Sequence, residues 1–134
     1  MKMRMTLMAG FLTSVCALSA VADAPALFTA AQAAQGAQIF SQSCAICHGA
    51  QLEGVAGPAL KGPAFHQMAA AQSLNGQSLL AVISQSMPQD NPGTLAPAQY
   101  AALVAYILRE NGYPAGAGEL SSTTPGLKDL SLSQ

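Results

Sequence analysis

The stretch Cys44-Ala45-Ile46-Cys47-His48 decides how the chain is read. C-x-x-C-H is the spacing for covalent attachment of a c-type haem. Thiols so spaced lie on one helical face or tight turn, where each can add across one haem vinyl group. The imidazole that follows is then held beneath the iron as its proximal ligand. Three plainer readings compete. A thioredoxin-like C-x-x-C needs a βαβ context, and the pattern shows none. A zinc site needs a second ligand pair, and only His66 is left to help. A structural disulfide across two residues would be strained.

Outward from the motif, composition sets bounds. The 134 residues make one domain the default. The chain is 51% hydrophobic, 8% charged and 5% aromatic, with no Trp. An alanine-rich, aromatic-poor core is easier to explain if a large flat cofactor supplies apolar surface. Beyond the first few residues the basic side chains are Lys61, Arg109 and Lys128. A basic nucleic-acid footprint is therefore absent.

The N-terminus reads as a secretory leader. Lys2 and Arg4 precede an uncharged, mostly apolar run over 5–22, and Ala20-Val21-Ala22 offers a cleavage site before Asp23. Cleavage after Ala22 would remove Cys16 and leave two cysteines, both in the motif. An uncleaved membrane anchor is the alternative, although the strongly apolar part is short for a span. The expected organisation is a signal peptide over 1–22, a loose lead-in over 23–34, a haem domain over 35–113 and an extended tail over 114–134. The tail is either a strap over the domain or a mobile end.

Within the domain, Gly36, Phe40, Cys44 and Cys47 recur at helical spacing and predict a first helix over Gln35–Cys47. A mid-helix glycine costs stability, so Gly36 implies close helix–helix approach. Gly54-Val-Ala-Gly57-Pro58-Ala59-Leu60 reads as a loop that turns back. A proximal His donates its second ring N–H to an acceptor such as a carbonyl, and the Pro58 carbonyl is the expected acceptor from His48. Leu60 is a core position beside that loop. Ala64–Ala71 reads as a short helix with Phe65 inward. Its His66 and Met68 could bind iron, but fit better as a partly exposed histidine and a packing methionine. Asn75-Gly76 reads as a turn, and Ser78–Gln85 as a helix capped by Ser78. Met87 then follows a helix, and Pro88 holds it out of helical geometry. It lies far beyond His48 in the chain, so its thioether is the candidate sixth ligand on the opposite haem face. Pro97–Glu110 carries Tyr100, Leu103, Val104, Ile107 and Leu108 at helical spacing, with Asn111-Gly112 as a stop. Ala96 is a poor cap for that helix.

From about Gln35 to Gly112 the chain resembles the monohaem class I cytochrome c family of the bacterial periplasmic type. The resemblance rests on the haem motif, on Gly36 and Phe40 before it, on Gly57-Pro58 and Leu60 after it, on Met87, and on Leu103 with Tyr106. The Met-Pro and Ala-Tyr-Ile-Leu patterns are also similar to cytochrome domains attached to quinoprotein and related periplasmic dehydrogenases. The resemblance implies an all-α fold, with three to five short helices around one covalently bound haem c. Cys44, Cys47, His48, Pro58, Leu60 and Met87 would bind the cofactor, with His48 and Met87 on the iron. It implies a periplasmic single-electron carrier rather than an enzyme, with no small-molecule substrate. The partners would be redox proteins, such as a periplasmic dehydrogenase or a membrane oxidase. Two other roles stay open: a haem subunit of a dehydrogenase complex, and a ligand-binding haem sensor or peroxidase.

Overall fold

Alanine favours helix more than any other residue, and the chain turns helical at Ala30, earlier than its periodicity suggests. The computed structural model of the protein describes residues 24–133. The leader over 1–22, with Cys16, lies outside them. Five helices follow in order: α1 (Ala30–Ser43), α2 (Ala45–His48), α3 (Gly62–Ala71), α4 (Gly76–Ser86) and α5 (Pro97–Glu110). The fold is all-α, and among the described residues the extended pairing is a single bridge between Asn75 and Ser131.

The expected loose lead-in over 23–34 is not loose where it is described. Thr29 caps α1, its Oγ1 accepting from Gln32 N at 3.1 Å. Phe28 is wholly buried, and its carbonyl accepts from Gly116 N at 2.7 Å. The alanines that read as featureless carry the first turns of α1. The predicted Gln35–Cys47 helix also breaks at Cys44, which leaves helical geometry at φ −125°, ψ −32°. No residue type in the sequence marks that break.

Helices α1 and α5 form the dominant pair of the fold. A Cβ on Gly36 would land on the Ala102 carbonyl and lie 2.9 Å from Tyr106 Cβ. Hydrogen is therefore the only side chain this crossing admits. Beside it the Phe40 and Tyr106 rings meet with centroids 5.3 Å apart. The α5 stripe expected from the sequence is wider than a stripe, because every residue from Tyr100 to Leu108 is buried. A helix covered all round must be apolar all round, and Ala101, Ala102 and Ala105 fill the faces that the larger residues leave. Ala96 is compensated from inside the helix, where Gln99 Oε1 accepts from Ala96 N at 2.8 Å. At the other end Gly112 N donates to Arg109 O and Tyr113 N to Leu108 O. This is a Schellman stop, with Gly112 at φ +84°.

Helix α4 begins two residues before the expected Ser78 cap. Asn75 is the cap and Ser78 its reciprocal partner: Asn75 Oδ1 accepts from Ser78 N at 2.8 Å, and Ser78 Oγ from Asn75 N at 2.9 Å. The tail is a strap. Leu120, Leu127, Leu130 and Leu132 are buried. Its carbonyls at Leu127 and Leu130 accept from Gln77 N and Gly76 N, and Leu132 N donates to Leu74 O. Gln32 reaches it from α1 through two buried bonds to Leu120.

Candidate haem site

The break after α1 sets up the motif. Cys47 N and His48 N both donate to Cys44 O, at 3.1 and 3.0 Å, so the five residues close into one tight turn. Both thiols are free: Cys44 is half-buried and Cys47 exposed. Burial, and then the neighbouring Cys47, push the Cys44 thiol up to about 11. Among the described residues no group of three or more His, Cys, Asp or Glu side chains could hold a metal ion. A protein-only zinc site therefore finds no support there.

His48 is buried, and the following loop wraps it. Gly54 N donates to His48 O at 2.7 Å, while Val55 N and Gly57 N both donate to Cys47 O. A Cβ on Gly57 would stand 2.8 Å from His48 Cε1 and 3.0 Å from Nδ1. The imidazole thus lies flat against bare backbone. His48 Nδ1 is 2.8 Å from Pro58 O. A carbonyl can only accept, so Nδ1 carries a proton, and in the neutral imidazole it is Nε2 that has the lone pair. Leu60 is half-buried against the core, and its N donates back to Leu52 O at 2.9 Å.

Two side chains that sequence reasoning missed complete the framework. Asn111 reads as a helix stop, yet its Nδ2 donates to Leu60 O at 2.9 Å and its Oδ1 accepts from Gly62 N at 3.0 Å. It thereby ties the end of the His48 loop to the end of α5. Tyr100 reads as one more core residue. Its hydroxyl donates to Met87 O at 2.9 Å and accepts from Leu95 N at 3.3 Å. The available signal was general: a buried tyrosine hydroxyl needs partners.

Met87 closes α4, its N donating to Ile83 O, in the extended geometry that Pro88 demands. It is half-buried and packs on the core. His66 Nδ1 lies 2.9 Å from Leu132 O, which occupies that ring nitrogen with the strap. Met68 packs half-buried on the core. Ile46 and Val55 stand 88% and 73% exposed. Since Val55 N is bonded to Cys47 O, these apolar side chains flank the motif at the surface.

Residues 31–107 match the family described as cytochrome c oxidase, cbb3-type, subunit III. The chain belongs to this family of cytochrome c domains. Its cofactor is accordingly covalently attached haem c, with iron. Such a cytochrome domain serves haem-based electron transfer, and is a carrier rather than a catalyst by itself. The cytochrome's fold is similar to one in the crystal structure of the sulfane dehydrogenase SoxCD from Paracoccus pantotrophus. The TM-score is 0.52 at 19% identity, over 91% of this chain and 67% of that one. At that identity the likeness concerns the fold. No curated protein sequence matches the cytochrome. No helix among the described residues is long and apolar enough to cross a membrane.

Proposed function

We propose that this cytochrome is a single-electron carrier whose haem would be held by Cys44 and Cys47 through thioethers, with His48 and Met87 as the residues that would bind the iron. When bound, the haem iron supplies a one-electron ferric/ferrous couple. The observation that carries the reading is the 2.8 Å approach of His48 Nδ1 to Pro58 O, which engages one ring nitrogen and leaves Nε2, in the neutral imidazole, as the one that could bind a metal. The residues fit the group in two further respects. The thiols are unpaired, and bare backbone at Gly57 is the cradle the imidazole needs. Leu60 and Pro58 would bound the cofactor on the His48 side. A thioether ligand favours ferrous iron, so a positive potential is expected. The apolar run over 5–22 and the Ala20-Val21-Ala22 site support export to the periplasm with the leader removed.

The test is Met87→Ala. Intact protein should show a Met-to-iron charge-transfer band in the oxidised far-red spectrum. The variant should lose it and bind CO when reduced. If the variant excludes CO as the parent does, Met87 is not the ligand. The fold likeness to part of a dehydrogenase structure favours a second reading, as the haem subunit of a dehydrogenase complex. A dehydrogenase that co-purifies in fixed ratio would support that reading over a free shuttle.

A further inference from the structure

The loop that follows Met87 is tied down unevenly. Over 88–94 every residue after Pro88 is exposed, and two of its hydrogen bonds stay inside it, Asn91 N to Pro88 O and Thr94 Oγ1 to Asn91 O. Among the described residues, the bonds that fasten the ends of this loop to α5 converge on one atom. Tyr100 Oη donates to Met87 O at 2.9 Å and accepts from Leu95 N at 3.3 Å. Tyr100 itself is 4% exposed, anchored in the first turn of α5. Leu95, Tyr100, Leu80 and Ser84 also line an open cleft of about 630 Å³. The loop therefore has space to shift if the hydroxyl is removed.

From this geometry we infer that Tyr100 is a positioning residue for the sixth ligand: its hydroxyl sets how firmly Met87 holds its place against competing ligands. The inference rests on Met87 ligation as proposed above. Tyr100 does not touch the thioether in this reading. It fixes the backbone on which Met87 is carried, by holding both ends of the loop against one rigid helix. With Met87 displaced, the loop would swing and the clamp would be lost in any case. The hydrogen bond therefore contributes to the closed state alone, and removing it shifts the equilibrium by what one such bond contributes.

The experiment measures imidazole affinity of the oxidised haem protein, with thermal melting of each form, in parent, Tyr100→Phe, Met87→Ala and Tyr113→Phe. Tyr113→Phe is the control, because its hydroxyl donates to Ser131 O in the strap. Met87→Ala should bind imidazole far more tightly than the parent. Tyr100→Phe should bind about fivefold more tightly, the factor that one hydrogen bond supplies. Tyr113→Phe should match the parent in affinity at a comparable loss of melting temperature. Parent-like affinity in Tyr100→Phe beside a tight Met87→Ala overturns the positioning role and leaves Met87 ligation standing. Equal tightening in both tyrosine variants also overturns it, since general loosening would then be the cause. Parent-like affinity in Met87→Ala removes the ligand assignment and the inference with it.

Discussion

At the scale of single residues, two positions next to His48 give sharp expectations. Gly57→Ala would place a methyl about 3 Å from three ring atoms of His48. The loop backbone at that point is bonded to Cys47 O and can yield little, so overpacking should cost about 1–3 kcal/mol. The imidazole would be displaced with it. Reduced haem content by spectrum and a lowered melting temperature are expected; an unchanged variant would mean that the ring is not seated on Gly57. The cysteines should differ before haem is attached. Cys44 is half-buried and pushed from 9.0 to about 11, whereas Cys47 is exposed. A raised thiol pKa favours the neutral form in the fold, so that contribution is complete below 9.0 and is lost as pH rises through about 11. In haem-free chain at mildly alkaline pH, iodoacetamide should therefore label Cys47 ahead of Cys44, as read by peptide mass. Equal labelling would show that the Cys44 pocket does not exist without the cofactor.

At the scale of helices, the α1–α5 crossing decides more than either helix does alone. Gly36→Ala should gain about 1 kcal/mol of helix propensity. It also drives a methyl into the Ala102 carbonyl, which is backbone inside the buried stretch of α5. Backbone cannot rotate away as a side chain would, so the clash wins. A net destabilisation of about 2 kcal/mol or more is expected, seen as a lower denaturation midpoint. A variant as stable as the parent would mean that the helices cross elsewhere. Gly36 and α5 were legible in the sequence because both leave strong local signals: a glycine where it costs, and a long periodic run between Pro97 and Gly112. The start of α1 was not, because an alanine run has no apolar period to read. Nor was the start of α4. Asn75-Gly76 carries the chemistry of a turn and of a cap alike, and contact with Leu127 of the strap tips the balance at Gly76.

At the scale of the whole molecule, the strap over 114–133 is the part that local reading could not place. Its leucines are too sparse for any period, and their burial follows from partners far away in sequence. Leu120 answers Gln32, Leu130 answers Gly76, and Leu132 answers both Leu74 and His66. Burying a leucine fully contributes about 1.5–3 kcal/mol, and the strap buries four. A chain ending after Pro114 should therefore lose cooperative thermal unfolding, or melt far below the full chain. A truncation that melts with the parent would show the strap to be dispensable. The candidate site was legible to a different degree around His48 and around Met87. The motif, the loop glycines and Pro58 lie close together in sequence and name one another. Tyr100 and Asn111 act through hydrogen bonds that no spacing announces.

Those bonds also divide the molecule into a stiff half and a compliant one. Around His48 the chain is stitched by backbone bonds to Cys44, Cys47 and His48 itself, and Asn111 locks the far end of the loop to α5. The segment after Met87 hangs between one helix end and one tyrosine hydroxyl. Mechanical response should follow that division. With the iron held between His48 and Met87 as proposed, the Met87 side should yield under heat, pressure or denaturant while the His48 side keeps its shape, so that damage begins as an exchange of one ligand and not as the loss of the cofactor.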